Sequence, residues 1–384
     1  MSKFLVLGAG KMGVVLAKDL IDSSPDDKVT LVDINSEQLE RARKFIGSIR
    51  LNPVLKDIEN IEESFYKEHD VVLCALLHKQ SFLALKMAVQ AGVHYVDLVG
   101  EAPLERLKYD QEARQKGITL ISGIGVSPGI SNACAARAVH LLDKTEKLFI
   151  YCGGNPIHPK PPLNYRIVYA VNSLLNFYER EVPIIKEGKE QRVSPLSGIE
   201  PISFPPDFPE MECFYTDGLN SLFYTLRDKV LYDLAEKTVR YKGHAEGINT
   251  LKDCGLFSKQ PLKVNGQQVI PRRVLEILLD LRMNLGEEKD ATLIRVIASG
   301  QKSGKAETHI FEMIDFYDQE KKYTSMAKTT SFPASITAQL IISGKITKKG
   351  SMFPEDVFHD DLFLCLVEEL KKRGVLIIHS VVSN

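Results

Sequence analysis

Up to about residue 125, apolar residues fall into short β-branched runs separated by longer stretches with helical periodicity. The runs Phe4 to Leu7, Val29 to Val32, Val71 to Ala75, Tyr95 to Leu98 and Thr119 to Ile121 read as strands bounded by turn residues. Between them, Met12 to Ile21, Ser36 to Ile46, Ser81 to Ala91 and Leu104 to Lys116 have the spacing of helices with one buried face. This alternation predicts a doubly wound parallel sheet of right-handed βαβ units. Beyond Gly125 the character changes. Gly153 to Pro162 and Pro195 to Pro209 are dense in proline and glycine and predict loops or crossovers. The runs Ala291 to Ala298, Thr308 to Phe316 and Tyr323 to Lys328, with turns such as Ser303-Gly304, predict a largely antiparallel sheet. Two helices close the chain, Ala334 to Ser343 and Phe363 to Arg373, the second stopped by Gly374.

With 384 residues the chain exceeds one comfortable hydrophobic core, so two units are expected. The reading is α/β: an N-terminal Rossmann sheet over residues 1–128, and a second α/β (α+β) unit over 129–330 for substrate and oligomer contacts. Residues 331–384 are expected to pack back on the first unit.

Composition removes several function classes. The 49 basic and 50 acidic residues leave a charge of -1, so no global field would gather nucleic acid or an acidic membrane. Lys345 to Lys349 reads as a solvated turn. The six cysteines are scattered and fit neither a zinc ligand set nor a disulfide framework, and no H-E-x-x-H occurs. No metal is expected, and a reducing cytosol is. Before Gly8 only Phe4 to Leu7 is apolar, too short for a signal peptide or a membrane span.

The run Gly8-Ala9-Gly10-Lys11-Met12-Gly13 has the spacing GxGxxG, follows a strand and opens a helix. Gly8 would make the tight turn, Gly10 would let backbone approach a pyrophosphate, and Gly13 would allow close packing of helix on strand. The amides around Lys11 and Met12 would then face the anion at the helix N-terminus. Asp33, twenty residues after Gly13, ends the second strand. A carboxylate there binds ribose hydroxyls and repels a 2'-phosphate, and Ile34 and Asn35 follow it with no arginine, so NAD is expected over NADP. Asp57 and Ile58, after the third strand, are placed to cradle adenine. Ala75 and Leu76, leading to His78 after the fourth, are placed on the nicotinamide side.

The second half of the chain carries a resemblance. Gly123-Ile124-Gly125-Val126-Ser127-Pro128-Gly129-Ile130 resembles the exit from the Rossmann unit in the saccharopine dehydrogenase family. Tyr151 to Pro156, Pro161 to Tyr165, Tyr215 to Ser221, Val239 to Glu246, Met326 to Thr330 and Ile346 to Gly350 more narrowly resemble lysine 6-dehydrogenases. The resemblance implies NAD-dependent oxidation of the ε-amine carbon of L-lysine. The imine would hydrolyse to allysine, which cyclises to piperideine-6-carboxylate. Saccharopine reductases of the family typically carry Asp at the position of Ser127 and an Asn-Arg-Asp run near Leu219 to Ser221. This chain has neither, which argues against saccharopine. A carboxynorspermidine dehydrogenase-like imine reductase and a non-catalytic NAD-binding sensor are the other readings.

Amine oxidation needs a carboxylate anchor and a proton acceptor. Arg240, in the Arg-Tyr-x-Gly run, offers a bidentate guanidinium and is the first candidate anchor, against a structural ion pair; Arg166 is the second. His244 titrates near neutrality and is the first acid–base candidate. Asp97 ends a parallel strand, a place that serves either a ligand or a helix cap; Glu246 and His78 stand behind these two. Asp217, Asn220 and Ser221 form a polar cluster on a glycine turn and either close over the substrate or form a plain turn. The substrate is expected in an interdomain cleft, and a homodimer or homotetramer is expected.

Overall fold

The structure, a computed structural model, describes residues 1–168 and 170–383; the side chain of His78, for which a site role was considered, lies outside the described residues. The first third contains β1 (Lys3–Leu7), α1 (Lys11–Ser23), β2 (Lys28–Asp33), α2 (Ser36–Ile46), β3 (Leu51–Leu55), a 3-10 turn at Ile58–Asn60, α3 (Glu63–Lys67), β4 (Val71–Cys74), α4 (His78–Ala91), β5 (His94–Asp97), α5 (Pro103–Leu107), α6 (Asp110–Gln115) and β6 (Thr119–Ile121). The strands pair in parallel in the order β3-β2-β1-β4-β5-β6. Helices cover both faces, so β1 and β4 are apolar almost throughout and buried. The strand β3, assumed before Asp57 but given no run of its own in the sequence, is an edge strand that carries Pro53, which breaks the alternating signal. The single helix expected from Leu104 to Lys116 is split into α5 and α6. Ser351 Oγ donates to the Arg106 carbonyl at 3.0 Å and the Ser351 amide to Asp110 at 2.9 Å, so a distant strand docks at the break.

After α7 (Ile130–Leu141) come β7 (Lys144–Pro156), α8 (Val171–Phe177), β8 (Val182–Lys186), β9 (Lys189–Val193), β10 (Glu200–Ile202), β11 (Met211–Tyr215), α9 (Leu222–Leu226), β12 (Val230–Tyr241) and α10 (His244–Asp253). The hairpin β13 (Leu262–Val264) and β14 (Gln267–Val269), α11 (Pro271–Met283), β15 (Asp290–Lys302), β16 (Lys305–Phe316) and α12 (Ser325–Ile342) follow. The chain finishes with β17 (Gly350–Met352), α13 (Pro354–Val357), α14 (Asp361–Lys372) and β18 (Ile378–Ser383). The second sheet runs β10-β11-β12-β7-β15-β16-β18, with β8 and β9 attached at β12. Among the described residues, only β12 and β7 pair in parallel within it. The last segments serve both sheets: β17 extends the parallel sheet beside β6, and β18 lies beside β16.

Two expectations are corrected. Gly153 to Pro156, expected in a loop, belong to β7. A Cβ on Gly153 would stand 2.3 Å from the Val239 carbonyl oxygen, and one on Gly154 2.2 Å from the Met326 side chain, so these glycines serve close approach within a sheet. Tyr323 to Lys328, expected as a strand, instead turns into α12. The Thr324 hydroxyl accepts from the Ala327 amide at 3.2 Å, and the Asp290 carboxylate accepts from the Ser325 and Met326 amides at 2.7 and 2.9 Å. Free amides of a helix start are thereby satisfied, and the helix continues through Pro333 into the segment expected to begin at Ala334.

Candidate active site

The glycine turn is built for a dinucleotide. Gly8 sits at φ +101°, a conformation that favours glycine. A Cβ on Gly13 would lie 1.8 Å from the Gly8 carbonyl oxygen, so helix α1 touches the turn directly. Gly10 differs: nothing lies within 4 Å of where its Cβ would be, and it caps α1 without a side-chain hydrogen bond. The amides of Lys11, Met12 and Gly13 therefore open onto free space beside the helix dipole, a fit for the pyrophosphate of a nicotinamide dinucleotide. Asp33 accepts from the Ala9 amide at 2.7 Å and from the Asn35 amide at 2.8 Å, tying the second strand to the turn.

Two hollows flank this turn. The first, about 340 Å³, is lined by Asp33, Ile34, Lys56, Asp57, Ile58 and Leu76 among others, the residues expected around adenosine. Lys56 was not foreseen there and brings a cation beside Asp33. The second, about 490 Å³, lies between the two sheets, walled by Met12, Ala75, Leu98 and Val126 to Pro128 on one side and by β7, β12 and the 217–220 turn on the other.

Strand β12 supplies the chemistry of this second cavity. Side chains two apart on a strand share a face, so Glu236, Thr238 and Arg240 all line it. Arg240 is 3% exposed, donates to the Val239 carbonyl at 2.8 Å and lies 4.6 Å over the Tyr165 ring. Glu236 is 2% exposed, and its Oε2 accepts from the Thr216 hydroxyl at 2.8 Å, which in turn is 2.7 Å from the Thr238 hydroxyl. Burial, reinforced by the neighbouring Asp217 charge, pushes its carboxyl up to about 8 against the pull of Thr216 and Arg240. Gly218 makes room for this carboxyl, since a Cβ there would lie 2.3 Å from it. At the mouth, Arg180 pairs with Glu101 at 3.2 Å and with Asp217 at 4.0 Å. Desolvation raises Asp217 to about 6. Asn220 lines the cavity with its buried Oδ1 lacking a protein partner.

The expected residues separate into those the fold gathers and those it does not. Arg240, Asp217, Asn220, Met12 and Ala75 line the cavity, and Asp33, Asp57, Ile58 and Leu76 line the smaller hollow. His244 does not reach either. It is fully buried, with Nδ1 3.0 Å from the Leu163 carbonyl and Nε2 3.0 Å from the Tyr178 hydroxyl. The carbonyl can only accept, so Nδ1 carries the proton and Nε2 accepts from Tyr178. Burial and the Arg240 charge lower its affinity for a second proton, to about 3. An imidazole so sealed has no nitrogen open to substrate, and its acid–base role is withdrawn.

Asp97 is corrected in the same way. It is fully buried and bonds the Arg106 guanidinium, the Tyr95 hydroxyl at 2.9 Å and the Gly123 amide at 2.8 Å, all of them structural partners. Arg166 clamps its own loop, pairing with Glu288 at 3.2 Å and donating to the Tyr165 carbonyl at 3.0 Å. Ser221 is buried at the start of α9, where it accepts from Asn132 at 3.2 Å, and Glu246 is exposed on α10. Sequence reasoning missed Glu236, although counting back in twos from Arg240 along one strand would have reached it. It also missed Arg180 and Glu101, which only the closure of the cleft brings together. Ser127 sits in a Gly-x-Ser-x-Gly run, but among the described residues no histidine lines the cavity to act as its base. Among the described residues no group of three or more His, Cys, Asp or Glu could hold a metal, and no helix is long and apolar enough to cross a membrane.

Comparison with known proteins places this geometry. Residues 4–121 match the family model described as the saccharopine dehydrogenase NADP binding domain, and residues 125–375 match the saccharopine dehydrogenase C-terminal domain. The chain is 22% identical to the Schizosaccharomyces pombe protein named saccharopine dehydrogenase [NADP(+), L-glutamate-forming], over 100% of both. It is 25% identical to carboxynorspermidine synthase of Vibrio alginolyticus, over 94% of this chain and 93% of that one. Against the mitochondrial alpha-aminoadipic semialdehyde synthase of Mus musculus it is 21% identical over 97% of its own residues, yet it spans only 47% of that relative's length. The apo saccharopine dehydrogenase (L-Glu forming) from Saccharomyces cerevisiae superposes with a TM-score of 0.82 at 20% identity over 100% of both chains, which establishes the fold.

Proposed function

This chain belongs to the saccharopine dehydrogenase family, and from that premise we propose that it oxidises the ε-amine carbon of L-lysine with NAD. The observation that carries the reading is the charge of the cavity. Its charged lining among the described residues consists of Glu101, Asp217 and Glu236 against Arg180 and Arg240, with no lysine and no histidine among them. Burial keeps the Glu236 carboxyl largely protonated near neutrality, so the wall has no surplus positive charge for the three carboxylates of saccharopine, while its third carboxyl group remains to meet a second amine. Arg240 would anchor the one carboxylate of lysine, and the unpartnered Asn220 oxygen would accept from an amine. When bound, the nicotinamide accepts the hydrogen and electron pair that leave the amine carbon. The free thiols of the six cysteines fit a reducing compartment such as the cytosol.

An elongated polyamine also suits an acidic cavity, so the test includes one. Purified protein is incubated with NAD or NADP and with L-lysine, saccharopine or carboxynorspermidine, and reduced nucleotide is followed by absorbance. Lysine with NAD is expected to turn over. Oxidation of saccharopine alone, or of carboxynorspermidine alone, overturns the substrate assignment.

Two substitutions probe the parts. Arg240→Ala is expected to raise KM for lysine about 30-fold, the loss of roughly 2 kcal/mol of charge-assisted hydrogen bonding, with NAD affinity unchanged. Asp33→Ser is expected to weaken NAD about tenfold and to tighten NADP, because a like charge beside the 2'-phosphate is gone. Nucleotide fluorescence titrations read both affinities. Unprovoked preference of the native protein for NADP would overturn the NAD assignment and give Lys56 the role of phosphate partner.

A further inference from the structure

Building on the amine-oxidation reading, we propose that Glu236 is the proton acceptor for the substrate amine, the role for which the sequence offered His244. The geometry is that of a carboxyl group held still and aimed into the substrate cavity. Its strand is central in the sheet, between β11 and β7. Thr238 supports Thr216, and Thr216 donates to Oε2, which leaves Oε1 without a protein donor among the described residues. The absence of a side chain on Gly218 provides the space the group occupies. Arg240, two turns of the pleat away on the same face, would hold the carboxylate end of the substrate, so an extended diamino acid presents its far amine elsewhere along that wall.

The charged and titratable groups around Glu236 come from every element packed on it. They are Asp217 from the turn after β11, Arg240 from its own strand, Cys152 from β7 and Cys213 from β11. Burial holds both thiols up at about 12, so neither competes for the proton near neutrality. Burial and then the Asp217 charge raise Glu236 to about 8, whereas desolvation and then the Glu101 charge, opposed by Arg180, raise Asp217 only to about 6. Two carboxyl groups pushed apart in this way mark different acid–base duties. Asp217, near the mouth and paired with Arg180, stays ionised at neutral pH, while Glu236 in the interior changes state in the range where an amine must lose a proton.

The step balances. The ε-ammonium gives one proton to the Glu236 carboxylate, and the freed nitrogen lone pair forms the C=N bond. The carbon loses its hydrogen with an electron pair to the nicotinamide dinucleotide that the reading already requires. The product is an iminium, which water then converts to aldehyde and ammonium.

The test uses the full chain and the variants Glu236→Gln and Glu236→Asp, with melting temperatures to confirm folding. E236Q is expected to lower kcat about 100-fold, within the range for a lost general base, with lysine and NADH affinities within threefold of native. The native rate at low lysine should rise with pH until about 8 and then level, because the acceptor must be ionised; E236Q should lose that limb and E236D should recover part of it. A second readout does not depend on turnover. Titrating lysine into the NADH-loaded protein at pH 7, in two buffers of different ionisation enthalpy, should show proton release on binding in the native protein and none in E236Q. Near-native kcat, an unchanged pH limb or unchanged proton release in E236Q overturns the assignment. If lysine is inert but another amine of the panel is oxidised, the substrate reading has failed and the same measurements with that amine decide on Glu236. If no amine is oxidised, both are overturned.

Discussion

Replacement of Arg106 by alanine is expected to cost about 3–5 kcal/mol of stability, although this residue touches neither cavity. Its guanidinium is fully buried and bonds Asp97, the Ser122 hydroxyl at 3.0 Å, the Ser81 hydroxyl at 2.6 Å and the Glu101 carbonyl at 2.9 Å, over the face of Phe82. Truncation leaves Asp97 as an uncompensated charge inside the parallel sheet, where desolvation is severe. The pair also holds the Gly123 amide and the Glu101 backbone, so the loop that walls the cavity should loosen with it. Denaturant midpoints of the native protein and Arg106→Ala measure the cost. Adding Asp97→Asn to the variant should return part of the loss, since the stranded charge is then gone. A loss below 1 kcal/mol would show that water reaches Asp97 and that the pair is not buried as described.

Gly13→Ala is expected to weaken nucleotide binding at least about 100-fold, equivalent to roughly 2.7 kcal/mol, and to cost about 1–3 kcal/mol of stability. The new Cβ would meet the Gly8 carbonyl at 1.8 Å, so α1 must retreat from the turn and carry its amides away from the pyrophosphate. Gly10→Ala separates the two effects. Its φ of -71° suits alanine and its Cβ meets no protein atom, so stability should hold while nucleotide binding falls. Titration with NADH and a thermal melt of both variants decide the matter. If Gly10→Ala binds nucleotide normally, the open space over that glycine is not where the pyrophosphate lies.

These expectations divide along the line between local and tertiary information. The parallel sheet was legible because each βαβ unit repeats the same contrast, an apolar strand followed by an amphipathic helix, and α2 matches its expected bounds of Ser36 to Ile46. The glycine turn was legible because backbone sterics at Gly8 and Gly13 demand a residue type, whatever the rest of the chain does. Errors arose where a segment's partner lies far away in sequence. Tyr323 to Lys328 alternates like a strand, and only Asp290, supplied by β15, converts its start into a capped helix. Gly153 and Gly154 look like loop glycines until Val239 and Met326 are seen pressed against them.

The site shows the same division. Residue type and spacing placed Gly8, Gly10, Gly13 and Asp33, and motif likeness drew attention to Arg240, because those constraints act over a few neighbouring residues. The titrating groups could not be read that way. His244, Asp97 and Glu236 are all ionisable residues in ordered segments, and no local pattern tells which will be sealed by Tyr178, which will be spent on Arg106 and which will face a cavity. Proton affinity is set by burial and by charges that the fold brings from β7, β11 and β12. The sequence alone therefore determined the parallel sheet and the glycine turn, and the tertiary structure decided which of these three groups faces a cavity.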